Sequence, residues 1–466
     1  MSPREGMLSV DQLRVEVDAG VIDTVLVAIP DMQGRLQGKR LHARFFLDSV
    51  LQDGTEGCSY LLAVDVDMNT VTGYAMSSWE NGYGDFVMRP DLSTLRRVPW
   101  HEGTAMVLCD LEKTSGGAVA PSPRQILREQ SARLGSRGWH PLVATELEFL
   151  VFRDTYEAAQ VKHYIDLVPA NLYNIDYSLL GTARVEPLLR RIRNSMAGAG
   201  MLVESAKGEC NFGQQEIGFL YDKALVTCDN HSVYKLGAKE IAAQDGVSIT
   251  FMAKYDQREG NSCHVHFSLV GEDGSPVFAS ASEPTLPGAA DQGDRAGFSP
   301  VLEHFLAGQL AGMRELTLLF APNINSYKRF VEGSFAPTAV RWGHDNRTCA
   351  LRVIGHGRSL RFENRLPGGD VNPYLAVAAI IAAGLDGIER ELPLESAFVG
   401  NAYTSDSETV PTTLREALAL WETSELAQSA FGPEVVDHYA NMARVEIAAF
   451  DRVTTDWERA RGFERL

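Results

Sequence analysis

Two segments place acids and imidazoles on alternate residues, the spacing that directs side chains to one face of a strand. In ATELEFLVF, Glu146 and Glu148 share a face, and the neighbouring apolar residues take the other. In CHVHFSL, the same alternation aligns His264, His266 and Ser268. Side chains of these types on one face can bind a cation together. A half-solvated strand without any chemistry would show the same alternation.

Two further segments extend this pattern with acids and arginines. In RFENRL, the alternation aligns Arg361, Glu363 and Arg365. In GECNFGQQEIGF, Glu209 and Glu216 stand on either side of a glycine-containing turn. Four such segments in one chain favour a shared site over four independent solvated strands.

The acids and one imidazole of these segments make a plausible ligand set for a hard divalent cation. The set comprises Glu146, Glu148, Glu209, Glu216, His264 and Glu363. Carboxylate oxygens are typical ligands of Mg²⁺ and Mn²⁺, and paired ions can clamp a phosphoryl group during its transfer. Cys263 would admit a zinc site, but its side chain should point to the opposite face of the strand. The sequence therefore predicts Mg²⁺ or Mn²⁺.

Arginines are concentrated in the region that follows these strands. SYKRF, HDNRTCALRV and RFENRL contribute Arg329, Arg347, Arg352, Arg361 and Arg365. Such side chains can bind carboxylate or phosphate through two parallel hydrogen bonds, although surface ion pairing is the ordinary role of an arginine. No Walker-type GxxxxGK[ST] and no GxGxxG motif occurs, so a nucleotide would have to be held by metals and arginines.

The composition limits the partners and the location. Lysine plus arginine number 43 against 61 acids, a net charge of −18, which disfavours nucleic acid and anionic membrane surfaces. The longest apolar run, 375–385, is too short to cross a bilayer. The N-terminal residues show no secretory signal and the six cysteines form no CxxC pair, so we expect a cytoplasmic protein with reduced thiols.

The chain is long enough for one large and one smaller domain. Residues 9–30 read as an amphipathic helix followed by a continuous β-branched strand. A glycine- and proline-rich linker before a helix capped by Ser122 sets a predicted boundary near residue 115, giving domains 1–115 and 116–466. The segment 271–297 reads as a hairpin-like or mobile insertion, and an alanine-rich helix is predicted from Pro373 to about Glu389.

The ordered motifs resemble the glutamine synthetase family in its bacterial class I form. They are DMQGR, TELEF, GECNFGQQE, GNSCHVHFSL, NINSYKRFVEGSFAP, NRTCALR, RFENRLPGGDVNPYL and VTTDWERARGFE, and they span almost the whole chain. The resemblance implies an α+β protein with a small N-terminal β-grasp domain and a large catalytic domain built around a funnel of antiparallel strands. It also implies a dodecamer of two hexameric rings, with active sites shared between neighbouring subunits.

The resemblance also implies a role for each matching residue. Glu148, Glu209 and Glu216 would hold a first metal ion, and Glu146, His264 and Glu363 a second. His266, Ser268, Arg352 and Arg361 would lie near the ATP phosphates, and Gly260, Arg329 and Arg365 would hold glutamate. Arg347 would assist phosphoryl transfer. The implied reaction is attack of the glutamate γ-carboxylate on ATP, followed by attack of an amine on the γ-glutamyl phosphate.

The departures from the family pattern concern the second substrate. Where the family has an aspartate in a DGSS-like loop donated by a neighbouring subunit, this chain has Glu56 in EGCS. Where the family's flap reads close to VPGYEAP, this chain reads VEGSFAP, so Phe335 replaces a proton-accepting glutamate and Glu332 replaces a proline. Asp85 matches a further acid at the amine entrance. A phenyl ring cannot accept a proton, but it can cover methylene groups.

These departures predict an ATP-dependent glutamate–amine ligase with an acidic, partly apolar amine entrance. A polyamine such as putrescine, cadaverine, spermidine or spermine is the leading substrate, which would make the protein a γ-glutamylpolyamine synthetase within a wider γ-glutamylamide class. Three alternatives stay open at this point: γ-glutamylethanolamide synthesis, ordinary glutamate–ammonia ligation, and a catalytically silent scaffold or sensor.

Overall fold

The computed structural model describes residues 4–280 and 293–466, and its N-terminal part is built on a six-stranded sheet. The strands are β1 (Thr24–Pro30), β2 (Leu36–His42), β3 (Thr55–Cys58), β4 (Asp85–Pro90), β5 (Arg96–Arg97) and β6 (Thr104–Lys113). Their order is β2-β1-β6-β4-β3, with β5 also paired to β6. The central pair β1–β6 is parallel, and the other pairs are antiparallel.

The first helix and strand form where the sequence predicts them. The helix Val10–Asp18 begins at Ser9, whose hydroxyl accepts a hydrogen bond from the Gln12 amide while the Gln12 side chain accepts one from the Ser9 amide. Strand β1 is buried along almost its whole length, as its continuous apolar run requires. Strand β2 is largely exposed and polar, which suits the edge of the sheet.

The second sheet has nine strands and carries the acids and imidazoles singled out above. The strands are β7 (Trp139–Phe152), β8 (Val203–Gly208), β9 (Gln214–Phe219), β10 (Asp222–Lys223), β11 (Ser248–Thr250), β12 (Cys263–Gly271), β13 (Trp342–His344), β14 (Leu351–Ile354) and β15 (Arg361–Asn364). The order is β13-β14-β15-β12-β7-β9-β8, with β10 and β11 on β7. Only β13–β14 is parallel among these described pairs, so the predicted antiparallel sheet is confirmed apart from one edge.

Helices surround the two sheets, and Pro123–Gly135 and Ala224–Gln244 pack directly on β7. Those of more than four residues are Val10–Asp18, Pro123–Gly135, Tyr156–Val161, Glu186–Gly198, Ala224–Gln244, Pro300–Gly312, Pro373–Glu389, Leu414–Thr423, Glu425–Phe450 and Asp456–Gly462, beside a five-residue π-helical turn at Phe46–Val50. The shorter ones are Ala43–Phe45, Leu51–Asp53, Leu179–Thr182 and Thr317–Phe320. Glu425–Phe450 is broken at Gly432 (φ 77°), directly before Pro433.

The predicted alanine-rich helix, Pro373–Glu389, is buried along most of its length and packs against Pro300–Gly312. The two backbones approach closely where Gly308 faces Gly387. A Cβ on Gly308 would lie 2.1 Å from the Ala383 carbonyl oxygen and 2.8 Å from the Gly387 Cα, so only glycine fits there. This contact fixes the helical layer behind the sheet.

One buried arginine ties the two sheets together. Arg124 has no exposed side-chain surface, and its guanidinium pairs with Asp91 (2.8 Å), Asp110 (2.6 Å) and Asp229 (2.8 Å). Asp91 and Asp110 belong to the N-terminal part, whereas Asp229 lies on the helix Ala224–Gln244. A buried cation with three acidic partners holds the N-terminal sheet in a defined position relative to the second sheet.

The structure confirms some of the predicted secondary-structure elements and changes the bounds of others. The helix beginning at Pro123 and the helix Pro373–Glu389 are confirmed. Strand β15 ends at Asn364, so Arg365 follows the strand rather than lying within it. The predicted insertion begins as a turn with a Val270–Pro276 bridge, and residues 281–292 of it lie outside the described residues. In the described parts of the chain, no helix is long and apolar enough to span a membrane. The domain boundary near 115 stays a prediction.

Candidate active site

Four strands of the second sheet bring the predicted acids and imidazoles together. The register places His264 opposite Glu146, Glu148 opposite Glu216, and His266 opposite Glu363. Side chains that stand opposite each other on adjacent strands lie about 5 Å apart at Cβ. The alternation predicted from the sequence therefore becomes one continuous charged surface across β9, β7, β12 and β15.

A first cluster consists of the three carboxylates Glu148, Glu209 and Glu216. One oxygen from each lies within 4.8 Å of the others, close enough to bind a single cation. Glu148 is fixed by the Ser262 amide (2.7 Å) and by Gln214 Nε2 (3.0 Å), both of which donate to its Oε2. Its second oxygen remains available to a ligand.

The electrostatics of this cluster favour a bound cation. Burial, reinforced by the charge of Glu209, raises the pKa of Glu148 to about 8. Burial and the charges of Glu146, Glu148 and Glu209 raise the pKa of Glu216 well above its usual value. Carboxylates that cannot all ionise alone are stabilised by a divalent ion. The residues therefore fit a metal site on the chemistry of their donor atoms.

A second cluster forms around Glu146 and Glu363, with two imidazoles beside them. His264 Nδ1 is 3.3 Å from Glu146 Oε2 and 3.1 Å from Glu363 Oε1. His266 Nε2 is 2.9 Å from Glu146 Oε1. Nε2 of His264 is buried without a hydrogen-bond partner among the described residues, so it is free to bind a ligand. Ligand atoms of Glu146, Glu363 and His266 lie within 4.8 Å of one another, whereas His264, the imidazole that the resemblance implies as a ligand, lines the cavity beside them.

Glu363 is the most tightly held of these acids. Arg352 Nη1 is 2.9 Å from its Oε2, and Arg365 Nη1 contacts its Oε1. Although burial opposes the shift, the charges of His264 and Arg365 lower the pKa of Glu363 to about 2. Arg352 also reaches Asp345 through Nε (2.9 Å). Glu363 is thus ionised and positioned before any ligand binds.

Both clusters open into one cavity of about 380 Å³. The sequence-predicted residues that line it are Glu146, Glu148, Glu209, Glu216, Gly260, His264, Phe335, Arg347, Arg352, Glu363 and Arg365. The cavity therefore joins the candidate metal ligands, two of the three predicted glutamate-binding residues and the flap aromatic. This is a size suited to a small-molecule substrate.

Arg329 stands behind the cavity wall instead of lining it. It is buried, and its guanidinium donates to Ser262 Oγ (3.2 Å) and to the carbonyls of Arg365 (3.2 Å) and Leu366. A Cβ on Gly260 would lie 2.2 Å from the Ala253 carbonyl oxygen and 2.8 Å from Arg329 Cγ. In this structure, Arg329 therefore fixes the segment that follows β15, and Gly260 is required for its close packing.

Three residues predicted near the ATP phosphates lie on the strands beyond the cavity lining. Arg361 Nε donates to His266 Nδ1 (3.3 Å), so the two side chains form a pair next to Glu146. Ser268 lies further along β12, opposite Leu142. Arg352, the fourth of the set, lines the cavity itself.

The acids predicted at the amine entrance do not line the cavity of their own chain. Glu56 and Asp85 are exposed on the adjacent strands β3 and β4 of the N-terminal sheet. Glu332 is an exposed residue of the flap turn. Glu56 or Asp85 reaching the site of a neighbouring subunit stays a prediction. The acidic amine entrance therefore also stays a prediction.

The flap aromatic is at the cavity, as predicted. Phe335 has a left-handed backbone (φ 60°), uncommon for a bulky residue, and its side chain is 53% exposed. Its carbonyl accepts a hydrogen bond from Arg365 Nη2 (3.1 Å). The Ser334 hydroxyl donates a hydrogen bond to the Val331 carbonyl (2.6 Å), which closes the turn. The flap is thereby anchored to the arginine that also holds Glu363.

Sequence reasoning missed part of the lining. Asp176, Tyr177, Lys207, Cys210 and Glu259 all line the cavity. Lys207 in β8 lies opposite Glu216 in β9 and contacts Glu209. Its Nζ is 4.8 Å from the centre of the Tyr177 ring. The position of Lys207 two residues before Glu209 was a usable signal, because an extended segment directs alternate residues to one face, although β8 itself ends at Gly208. The loop residues Asp176 and Tyr177 had no such periodicity.

The raised pKa of Glu148 predicts how metal-free stability depends on pH. A carboxyl whose folded pKa lies above its unfolded value stabilises the fold while protonated, and this contribution is lost as pH rises to the folded value of about 8. The shifts of Glu209 and Glu216 act in the same direction. We expect the melting temperature of chelator-treated protein to fall from pH 6.5 to 8, above the range where His264 titrates. Added Mn²⁺ should remove the fall, and an equal fall with Mn²⁺ would contradict the cluster's role.

The fold and the site define the protein class. The model of the glutamine synthetase catalytic domain matches residues 120–461, and the chain belongs to this family. It is an ATP-dependent glutamate–amine ligase, as predicted, and the predicted α+β glutamine synthetase-type fold is confirmed. Enzymes of this family use ATP and divalent metal ions.

This chain is also similar to particular proteins, two by sequence and one by structure. The chain is 66% identical over 466 residues to the gamma-glutamylethanolamide synthetase GlnA4 of Streptomyces coelicolor, covering 100% of this chain and 98% of that protein. It is 38% identical to the glutamate–isopropylamine ligase of a Pseudomonas species, over 94% and 95% of the two chains. The solved GmaS/ADP complex superposes with a TM-score of 0.83 at 26% identity, over 97% of this chain and 99% of that one.

Proposed function

We propose that this enzyme joins the γ-carboxylate of glutamate to ethanolamine, a small amine with a polar far end. The observation that carries the proposal is Phe335 at the cavity, where the resembled family has the glutamate that receives a proton from ammonium. A phenyl ring supports binding of the methylene groups of an alkylamine and offers nothing to a bare ammonium ion. The 66% identity to a gamma-glutamylethanolamide synthetase supports the same choice.

The proposed reaction has two steps. The glutamate γ-carboxylate attacks the γ-phosphorus of ATP, forming a C–O–P linkage and releasing ADP. The neutral amine nitrogen then attacks the γ-carbonyl carbon, a C–N bond forms as the C–O bond to phosphate breaks, and the nitrogen's proton leaves with phosphate as HPO₄²⁻. The products are the γ-glutamylamide, ADP and phosphate.

The chain's residues take complementary parts in this proposal. Glu148, Glu209 and Glu216 hold one divalent ion, and Glu146, Glu363 and His264 hold another, with Mg²⁺ or Mn²⁺ as the ions that suit these donors. Such ions neutralise charge on the transferred phosphoryl group when bound. Arg352, Arg361, His266 and Ser268 face the nucleotide side. Gly260 and Arg365 contact glutamate, while Arg329 holds the segment that carries Arg365.

The assembly belongs to the proposal as well. We propose a homo-oligomer, most simply the dodecamer of two hexameric rings that the resemblance implies, with Glu56 and Asp85 of one subunit facing the cavity of the next. Their exposure on the edge strand β3 and on the adjacent strand β4 supports this. A cytoplasmic location stays a prediction.

Ethanolamine is now favoured as the substrate, whereas the sequence alone favours a polyamine. The reason is the 66% identity to a gamma-glutamylethanolamide synthetase, whereas the acidic entrance of Glu56, Asp85 and Glu332 that favours a polyamine depends on a neighbouring subunit and stays a prediction. A long polycation needs several such acids along its length, whereas a two-carbon amino alcohol needs room for its methylenes and one polar contact. The named relatives with small amines agree with this order.

A phosphate-release assay with ATP, glutamate and an amine panel tests the proposal. We expect kcat/KM for ethanolamine to exceed that for ammonium and for putrescine by at least tenfold. Phe335→Glu should lower kcat/KM for ethanolamine and raise that for ammonium, because it restores a proton acceptor and removes apolar contact. Phe335→Leu is the matched control that keeps apolar contact and should retain the preference. Ammonium as the best substrate of the unaltered enzyme would overturn the proposal.

A further inference from the structure

We propose that Asp176 determines amine specificity by accepting a hydrogen bond from the far end of the amine, the hydroxyl group of an amino alcohol. The inference rests on the proposed function and assigns a residue that the sequence motifs did not identify. It concerns the end of the substrate that does not react.

Asp176 lies at the outer end of the first carboxylate cluster. One of its carboxylate oxygens lies within 4.8 Å of a Glu209 oxygen and of Cys210 Sγ. Side-chain exposure decreases from Asp176, which is exposed, through Glu209 to the buried Glu216. An amine whose nitrogen reaches the reacting carbon beside the inner carboxylates therefore extends its far end toward Asp176.

Close packing against Gly208 holds the backbone of the segment that carries Asp176. The Tyr177 amide donates to the Gly208 carbonyl (3.4 Å), and a Cβ on Gly208 would lie 2.4 Å from the Ile175 carbonyl oxygen. Only glycine at 208 lets the 175–177 segment approach so closely. The Asp176 amide donates to Asn174 Oδ1 (2.9 Å). Asp176 is thus held against the strand that leads directly to Glu209.

Asp176 is available to accept a hydrogen bond from a substrate, whereas three other carboxylates of the cavity already have partners. Glu209 pairs with Lys207, Glu146 contacts two imidazoles and Glu363 pairs with two arginines. Asp176 has no ion-pair partner in the parts of the chain that the structure describes. Its carboxylate can accept a hydrogen bond without first losing a cation, and hydrogen bonds to charged groups are among the stronger ones.

This arrangement discriminates between amines of equal length. Ethanolamine presents a hydroxyl donor to Asp176, whereas n-propylamine presents a methyl group that would strip water from the carboxylate without replacing it. A site built to bind a hydroxyl rejects the analogue that lacks it. Tyr177 and Phe335 line the same cavity, and in this proposal their rings cover the methylene groups of either amine.

The test compares two variants with two amines. Asp176→Ala should raise the KM for ethanolamine about tenfold and should raise kcat/KM for n-propylamine, because no carboxylate is then stripped of water, with KM for ATP and for glutamate unchanged. Asp176→Asn keeps an acceptor oxygen and should recover most of the ethanolamine affinity. Asp166→Asn, an exposed aspartate of the same region that does not line the cavity, is the control and should match the unaltered enzyme.

Two results would overturn the inference. Equal losses with both amines, or a changed Mn²⁺ requirement, would make Asp176 part of the metal site. An unchanged KM for ethanolamine in Asp176→Ala would show that the substrate does not contact it. Failure of the proposed function is distinguishable, because it appears in the unaltered enzyme as a preference for ammonium.

Discussion

Replacing Glu216 with glutamine should lower ligase turnover about a thousandfold and should not lower the melting temperature of the metal-free protein. The first effect follows because the variant loses one of three carboxylates at a cation that neutralises the transferred phosphoryl group, and a loss of several kcal/mol corresponds to this factor. The second follows because burial, together with the charges of Glu146 and Glu148, raises the pKa of Glu216 well above its usual value. A neutral amide of the same shape relieves that repulsion.

Differential scanning fluorimetry with and without Mn²⁺ measures the second effect. The unaltered protein should gain melting temperature with Mn²⁺, and Glu216→Gln should lose most of that gain. Glu272→Gln, an exposed residue at the turn after β12, is the matched control and should behave like the unaltered protein. A metal-free Glu216→Gln protein that melts well below the unaltered one would show that Glu216 serves packing instead of cation binding.

Replacing Arg347 with alanine should lower kcat about a thousandfold, the lower end of the range for an arginine that stabilises phosphoryl transfer. Arg347 lines the cavity, is exposed, and makes no ion pair with any residue in the described parts of the chain. Its removal therefore leaves no buried charge unpaired, and we expect an unchanged melting temperature. KM for ATP and glutamate should change by less than about threefold, because an interaction made only in the transition state affects kcat.

Arg347→Lys is the informative partner variant, since it keeps the charge but not the two parallel hydrogen bonds of a guanidinium. Its kcat should lie between those of the unaltered enzyme and Arg347→Ala. Steady-state phosphate release at saturating ethanolamine provides the measurement. A rise in KM for ATP with kcat retained would assign Arg347 to nucleotide binding instead of phosphoryl transfer.

The two-residue period of a strand was enough to predict which acids share a face. Glu146 and Glu148, and likewise His264 and His266, do face the same cavity region or its rim. The period does not define which strands are neighbours, so the pairing of Glu148 with Glu216 required the sheet register. Register depends on long-range packing that no local pattern contains.

The residues that the strand period could not locate are those whose positions depend on tertiary or quaternary structure. Arg329 looks like a ligand-binding arginine, yet it is buried and satisfies backbone carbonyls. Asp176 lies in a loop, and only its packing on Gly208 brings it to Glu209. Glu56 and Asp85 fall on the N-terminal sheet, where a single chain offers them no cavity. Loops and subunit interfaces lack the periodicity that made the strand acids recognisable.

Crystals grown with ADP and Mn²⁺ would show by anomalous scattering whether carboxylates from separate strands hold two cations. We expect two manganese peaks in the cavity. One should lie among the carboxylates of Glu148, Glu209 and Glu216, and the other between Glu146 and Glu363 with an imidazole nitrogen as a further ligand. No peak at either cluster, or manganese bound only outside the cavity, would contradict this expectation.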